Sequence, residues 1–252
     1  MISIRGVGKR YDDLVALQGI DLEIASGELL CLLGPSGCGK STLLNVIAGF
    51  VAPTAGSVVC DGKAVTAPGP DRAMVFQEYA LFPWMTVAQN VAFGLEIKGA
   101  TGIEATVAAL LDKLSLREFR DRFPKDLSGG MRQRVAIARA LAIDSPVLLM
   151  DEPFGALDAL TRRSLQAELL RLFQELRKTI VFVTHGIEES VLLADRVVVM
   201  TYRPGTVKRV VPVSLPRPRD PASAAFNRLE AELTALVMEE EERHQQDERG
   251  GR

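Results

Sequence analysis

One stretch limits what this chain can become: Gly34-Pro35-Ser36-Gly37-Cys38-Gly39-Lys40-Ser41-Thr42. It fits the phosphate-loop pattern G-x-x-x-x-G-K-[ST]. The run Glu28-Leu29-Leu30-Cys31-Leu32-Leu33, apolar after its first residue, precedes it, and a helical stripe of Leu43, Leu44 and Ile47 follows. Strand, glycine turn and helix start therefore come in the order the pattern requires. Glycines let the backbone wrap closely around oxygen atoms and take φ > 0. Successive N–H groups and the helix N-terminus then offer partial positive charge to phosphate. Lys40 is placed to reach the β- and γ-phosphates as a point charge, and the Ser41 hydroxyl to ligate Mg²⁺. A plain glycine turn between strand and helix is the alternative, which the flanking segments disfavour. The stretch implies binding of a nucleoside triphosphate.

With 252 residues the chain can hold one large α/β domain with a subdomain and bury a substantial core. Its 30 basic and 32 acidic residues give a net charge of −2, so no basic field points to nucleic acid. No apolar run approaches the roughly 18–20 residues that span a bilayer. Met1-Ile2-Ser3-Ile4-Arg5 lacks the apolar segment of a signal peptide, so membrane association is expected only through a partner. Cys31, Cys38 and Cys60 show no metal spacing and no even framework, which fits a reducing compartment. Cys31 reads as a small core residue. Cys38 lies inside the phosphate loop, so alkylation there is expected to keep nucleotide out. With only His185 and His244, a multi-histidine metal site is disfavoured.

Ile2, Ile4 and Val7 alternate with polar residues, Asp12-Asp13 turns, and Leu22 and Ile24 continue a second strand. Pro53-Thr54-Ala55-Gly56 turns into Ser57-Val58-Val59-Cys60 and Asp61-Gly62 turns again, the chemistry of an antiparallel subsheet. Met74-Val75-Phe76 is a short strand ending at Gln77. The aromatic stretch Tyr79-Ala80-Leu81-Phe82-Pro83-Trp84 opens a helical insertion, with helices from about Thr86 to Lys98 and Glu104 to Leu116. Three unalternating apolar runs follow, at residues 147–150, 180–183 and 197–200, as in parallel strands covered on both faces. An amphipathic helix carrying Leu165, Leu169, Leu172, Phe173 and Leu176 lies between the first two. This alternation predicts a doubly wound α/β sheet. Leu215-Pro216-Arg217-Pro218-Arg219 reads as an extended linker, Phe226, Leu229, Leu233 and Leu236 as a last helix, and the charged tail from Glu239 is expected to fray.

Two further stretches carry chemistry. The strand Val147-Leu148-Leu149-Met150 ends in Asp151-Glu152; the first carboxylate can hold Mg²⁺, and the second can orient or deprotonate water. Alone this is a common capped loop, and the phosphate loop is what changes its weight. Leu127-Ser128-Gly129-Gly130-Met131 opens a helix with Ser128 as N-cap and bared backbone N–H groups, either a second phosphate site or simply a well-capped helix.

In order and spacing these residues resemble the ATP-binding subunits of ABC transporters across about residues 1–213. Gly34 to Ser41 matches Walker A, Gln77 the Q-loop, and Leu127 to Met131 the signature. Met150-Asp151-Glu152 closes Walker B, Ala156-Leu157-Asp158 matches the D-loop, His185 the H-loop, and Tyr11 the aromatic that stacks on adenine. The resemblance implies an α/β P-loop NTPase (RecA-like) core with an antiparallel β subdomain and an α-helical subdomain inserted at about residues 79–143. Residues 214–252 would then form a linker, an amphipathic helix and a charged tail. It further implies a head-to-tail dimer of identical copies, with ATP between Lys40 of one and Ser128-Gly129-Gly130 of the other. Ser41, Asp151 and Gln77 would complete the Mg²⁺ environment, Glu152 would act on the lytic water, and His185 would contact the γ-phosphate. Two positions depart from the family: Met131 stands where glutamine is usual, and Gly186 follows His185 where aspartate is frequent.

Within the family, Leu81-Phe82-Pro83-Trp84-Met85-Thr86-Val87, the Met131-containing signature with Arg132-Gln133-Arg134, Arg203-Pro204-Gly205 and Pro216-Arg217-Pro218-Arg219 resemble importer subunits for nitrate, sulfonates, taurine and related small solutes. The short stretch after the last apolar run leaves no room for the β-rich regulatory domain of sugar and spermidine importers. The expected setting is the cytoplasmic face of the cell (inner) membrane, on integral-membrane permease subunits served by a solute-binding protein. Trp84, the single tryptophan, is the candidate permease contact, whereas Leu81 and Phe82 are equally readable as packing. A soluble ABC ATPase working as a mechanical switch in a non-transport complex is the alternative. Repair ATPases of that kind carry long coiled coils and ribosomal ones usually paired nucleotide domains, whereas this sequence shows one set of motifs and no coiled coil.

Overall fold

In the computed structural model the backbone is described for residues 1–250 and the side chains through Gln245; the last two residues of the charged tail lie outside the described residues. The elements in chain order begin with β1 Ile2–Tyr11, β2 Leu14–Ile24, β3 Leu29–Leu33, α1 Lys40–Ala48, β4 Ala55–Cys60, β5 Lys63–Ala64 and β6 Arg72–Val75. Then come α2 Val87–Ile97, α3 Ile103–Lys113, α4 Gly129–Ala142, β7 Val147–Asp151, α5 Ala159–Leu176 and β8 Thr179–Thr184. Last are α6 Ile187–Leu193, β9 Arg196–Met200, β10 Val207–Pro212 and α7 Ala224–Gly250. They fall into two units, Met1–Gly69 with Thr179–Arg252, and Pro70–Lys178.

The first unit holds two layers of strand. β1 pairs antiparallel with β2, setting Ile2 against Ile24, Ile4 against Leu22 and Val7 against Ile20, and these alternate residues are buried. β4 lies on the other side of β1 and β5 completes the order β2-β1-β4-β5. The β4–β5 turn puts Asp61 and Gly62 both at positive φ, as a tight hairpin needs. β3 is buried along its whole length because it is flanked on both sides by parallel strands. Cys31 faces Phe182 of β8 on one side and Val197 of β9 on the other. α1 turns Leu43, Leu44 and Ile47 fully inward.

Strand β10 is not foreseen in the sequence. It pairs antiparallel with β9, and only Val211 among its residues is buried, so Lys208 and Arg209 erase any apolar signature. Residues 215–219 run without helix or strand between β10 and α7, and they are tied down by side chains. Arg219 is only 7% exposed, and its guanidinium donates to the carbonyls of Val191, Leu192, Ala194, Val213 and Leu215 at 2.6–3.2 Å. Three of these belong to the last turn and C-cap of α6, where carbonyls have no helical partner. Arg217 donates to Leu193 O and to Asp195, whose other carboxylate oxygen accepts from the N–H of Leu29 at the start of β3. Burial, with Arg217 nearby, lowers the Arg219 pKa to about 10. The tail expected to fray from Glu239 instead continues α7 to Gly250. Phe226, Leu233 and Val237 are its buried face, and Glu240 is buried beside Lys208 at 2.7 Å.

In the second unit β6 and β7 run parallel, with Ala73 beside Leu148 and Val75 beside Met150. α2 begins with a reciprocal capping box between Thr86 and Gln89 and packs on α3 and α4. Fully buried Asn90 donates to the carbonyls of Phe82, Met85 and Thr86 and accepts from the N–H of Phe82, which fixes the aromatic loop onto α2. Arg134 of α4 pairs with Glu168 of α5 at 2.6 Å; burial nonetheless holds the Glu168 pKa above its ordinary value.

Replacing Arg219 by alanine strands several buried carbonyls, and the expected loss is about 2–4 kcal/mol of unfolding free energy in urea titration. Arg219→Lys, with three donors, is expected to recover part of it. A loss below about 0.5 kcal/mol, the ordinary range for surface substitutions, would contradict this account of the segment.

Candidate functional site

The candidate residues fall in both units. In the first, β3 ends at Gly34 and α1 starts at Lys40, with Gly39 as its N-cap at φ 99 and no side-chain cap on the exposed N–H groups. A Cβ at position 39 would lie 2.7 Å from Leu17 Cδ2 and 2.9 Å from Ala16 O, so only glycine fits. Lys40 is 6% exposed, and its Nζ donates to Gly34 O at 2.7 Å and Pro35 O at 2.9 Å, with Cys38 Sγ at 3.8 Å. An ammonium held inside a loop on neutral acceptors, beside uncapped helix N–H groups, leaves uncompensated positive charge where a phosphate would sit. The residues present therefore fit a phosphate chain. Ser41 is exposed in the first turn of α1, within the loop that would carry a phosphate-bound Mg²⁺. Among the described residues no group of three or more His, Cys, Asp or Glu could hold a metal by itself.

Tyr11 ends β1 with 43% of its surface exposed, and the Lys9 ammonium lies 4.9 Å from its ring centre. His185 is exposed, immediately after β8. Gly186, at the position where the family often has aspartate, is held by its neighbours: its N–H donates to Thr184 Oγ1 at 2.9 Å, and that hydroxyl donates in turn to Glu189. Thr184 and Glu189 therefore order the turn after the histidine.

In the second unit, the structure brings Gln77 and Glu152 together, with Gln77 Nε2 donating to Glu152 Oε2 at 3.2 Å. Asp151 is the last residue of β7, and Glu152 follows in a left-handed conformation at φ 42. That conformation disfavours a non-glycine residue by roughly 1–2 kcal/mol. Tyr79 and Ala80, just after Gln77, are also left-handed, at φ 56 and 47. Arg139 of α4 donates to both of their carbonyls, at 3.2 and 2.6 Å, and burial lowers its pKa. Sequence reasoning missed Arg139, although a lone charge within the apolar run from Val135 to Ala142 was the available signal.

Ser128 caps α4 by accepting from the N–H of Met131 at 3.3 Å. The side chain that replaces glutamine at 131 thus leaves the cap intact, because the cap uses backbone. Gly130 permits close approach of α5, since a Cβ there would lie 2.6 Å from Thr161 Cγ2. Asp158 caps α5, accepting from Leu160 and Thr161 N–H at 3.2 and 3.0 Å. Hydrogen bonds from Thr161 hold its carboxyl below the ordinary range.

Comparison with known proteins follows this geometry. Residues 17–155 match the profile of a family described as ABC transporter. An uncharacterised ABC transporter ATP-binding protein of Methanocaldococcus jannaschii is 51% identical over 227 residues, covering 89% of this chain and 85% of that protein. A nitrate import ATP-binding protein of Synechocystis is 51% identical over 212 residues, 83% of this chain and 79% of its own length. A taurine import ATP-binding protein of Roseobacter denitrificans is 49% identical over 215 residues, 82% and 80% of the two chains. Among solved structures, a dimeric post-hydrolysis state of an ATP-binding cassette bound to ADP and Pi matches with a TM-score of 0.76 at 34% identity, covering 85% of this chain and 100% of that one.

Alkylation of Cys38, expected to keep nucleotide out, first requires access to its thiol. The residue is 0% exposed, and burial raises its thiol pKa, an effect that outweighs the neighbouring Lys40 ammonium. Only the thiolate reacts, and a raised pKa leaves little of it at neutral pH. Iodoacetamide at pH 7.5 is therefore expected to modify Cys38 at least about tenfold more slowly in the native chain than in urea, as read by peptide mass. Equal rates would contradict this burial.

Proposed function

This chain belongs to the ABC transporter family as an ATP-binding subunit that hydrolyses ATP, and from that premise we propose that it powers an importer for nitrate, taurine, a sulfonate or a related small solute. The observation that carries the importer reading is the identity of about half with import ATP-binding proteins across some four-fifths of both lengths. Its fold is the mixed α/β P-loop nucleotide-hydrolase fold, and two of its solved neighbours are dimeric cassettes.

The residue roles in this proposal follow the chemistry of each group. Lys40 and the N–H groups around Gly34 to Thr42 hold the phosphates, and Tyr11 stacks on the adenine. Ser41 would ligate the Mg²⁺ that accompanies ATP, and Asp151 and Gln77 would contribute to its environment; the cation would supply charge neutralisation on the phosphates. Glu152 orients the lytic water and takes its proton as the water oxygen bonds to the γ-phosphorus and the bond from the γ-phosphorus to the bridging oxygen breaks, releasing ADP and phosphate. Its hydrogen bond from Gln77 supports this role, because that bond holds the carboxylate in one orientation. His185 contacts the γ-phosphate. The partner subunit's Ser128, Gly129 and Gly130 close on the nucleotide in a head-to-tail dimer, with Asp158 of the D-loop stretch Ala156-Leu157-Asp158 also at the nucleotide.

The chain works at the cytoplasmic face of the membrane as a peripheral subunit on permease subunits fed by a solute-binding protein. Among the described residues no helix is long and apolar enough to cross a membrane. Trp84 supports the docking role: it is 69% exposed, while Phe82 beside it packs at 4.5 Å on Phe93 and lies under Arg139. Phe82 is thus engaged with Phe93 of α2, whereas Trp84 is exposed.

Glu152→Gln is expected to keep ATP binding and lose about 10²–10⁴-fold in turnover, whereas Lys40→Ala loses binding itself. Parental hydrolysis by Glu152→Gln would overturn the role of Glu152. Trp84→Ala is expected to leave the ATPase activity of the isolated chain unchanged and abolish solute uptake in cells. Normal uptake together with normal co-purification of the permease would count against the docking role.

A further inference from the structure

The turn between β9 and β10 carries Arg203-Pro204-Gly205, to which none of the roles above gives a task. Its backbone is laced to β2: the Gly205 N–H donates to Ala16 O and its carbonyl accepts from the N–H of Gln18, both at 3.0 Å. The turn presses on the phosphate loop so closely that a Cβ at position 205 would lie 2.1 Å from the carbonyl oxygen of Cys38. Arg203 reaches the same loop through its side chain, with Nε donating to Gly37 O at 3.0 Å.

That bond falls on one particular peptide plane. The carbonyl of Gly37 and the N–H of Cys38 belong to the same peptide unit, and in a trans peptide they point in opposite directions. Fixing the oxygen fixes the donor. The Cys38 N–H makes only a long, 3.4 Å contact to Pro35 O, the oxygen that also accepts from Lys40. A donor so weakly engaged, beside the lysine ammonium, is available to a phosphate oxygen once one arrives.

The turn is itself held rigidly. Thr201 Oγ1 donates to Pro204 O and accepts from the N–H of Thr206, both at 2.9 Å. The Tyr202 N–H donates to the buried Glu240 carboxylate of α7 at 3.0 Å, and the Tyr202 ring stacks on His244 with centroids 4.0 Å apart. Lys208 of β10 completes the joint by pairing with Glu239 and Glu240, each at 2.7 Å. The guanidinium of Arg203 rests against the Tyr202 ring at 5.8 Å.

We propose that Arg203 is a positioning residue for the nucleotide phosphates: it holds the Gly37 carbonyl outward and so presets the Cys38 N–H, working from a turn that the C-terminal helix braces. The inference rests on the reading of Gly34–Thr42 as the phosphate site. Arg203 acts through the peptide and not on the phosphate, so its loss weakens ATP and ADP alike.

Calorimetric titration of the full chain with MgATP and MgADP tests this in the parent, Arg203→Ala, Arg203→Lys and Lys40→Ala. Arg203→Ala is expected to raise both dissociation constants by the same factor, roughly five- to twentyfold. Arg203→Lys should recover much of this, because an ammonium can still donate to one carbonyl. The melting temperature without nucleotide should stay near that of the parent. Parental affinity in Arg203→Ala, with binding lost in Lys40→Ala, would overturn this inference and leave the phosphate site standing. Parental affinity in Lys40→Ala would remove the phosphate site and the inference with it. A loss for ATP tenfold larger than for ADP would mean direct contact with the terminal phosphate, and a large fall in the nucleotide-free melting temperature would mean a purely structural part; either overturns the proposal.

Discussion

The ammonium of Lys40 sits inside a loop of its own chain, almost out of water, and its hydrogen bonds run to two carbonyls and a thiol sulfur. Taking a cation out of water is unfavourable by several kcal/mol unless partners replace the lost hydration. Carbonyl dipoles do this in part, but they leave the charge in place. The loop therefore folds around a deficit that an anion completes. Much else in the first unit serves this arrangement. β3 is flanked on both sides and has no freedom to shift, and Ala16 and Leu17 of β2 press under Gly39 so that the helix must start where it does. Burial also silences the neighbouring Cys38, so a thiol can lie within the loop without becoming its reactive group.

The second unit handles its carboxylates differently. Asp151 ends a buried strand and Glu152 is bent into a left-handed conformation, where Gln77 donates to it. Strain of this kind persists when surrounding contacts over-determine it. Here Arg139 pins the two left-handed residues that follow Gln77, from the same helix that Ser128 caps. The segment after Gln77 and the helix that Ser128 caps are thus joined by one half-buried guanidinium, and movement of either would be felt by the other.

Periodicity and motif chemistry made much of this visible beforehand. The β1–β2 hairpin, the buried β3, the strand before Gln77 (though β6 stops at Val75), the strand ending at Asp151 and the amphipathic α5 all announce themselves, because their apolar residues recur at the spacing their surroundings demand. What stayed hidden shares one physical cause. Arg139, Arg203, Arg219 and Asn90 all act on backbone carbonyls, and all but Asn90 reach carbonyls far along the chain. A side chain that recognises backbone leaves no complementary residue to find in the sequence. β10 was missed for a related reason, since an edge strand with a single buried residue has no pattern. The charged end of α7 looked prone to fray because its anchors, Glu240 with Lys208 and His244 with Tyr202, join residues more than thirty positions apart.

Family membership supplies the reaction, and the fold supplies reasons for its parts. The loop that carries Lys40 and the turn that carries His185 lie in one unit, while Asp151, Glu152 and Ser128 lie in the other. The central claim is that phosphate completes the charge of the buried lysine. Crystals grown with Mg²⁺ and a non-hydrolysable ATP analogue test it most directly. The account predicts a phosphate oxygen within hydrogen-bonding distance of Lys40 Nζ, with other phosphate oxygens on the N–H groups between Gly37 and Thr42. Nucleotide bound elsewhere, with the ammonium still satisfied only by Gly34 and Pro35, would contradict it.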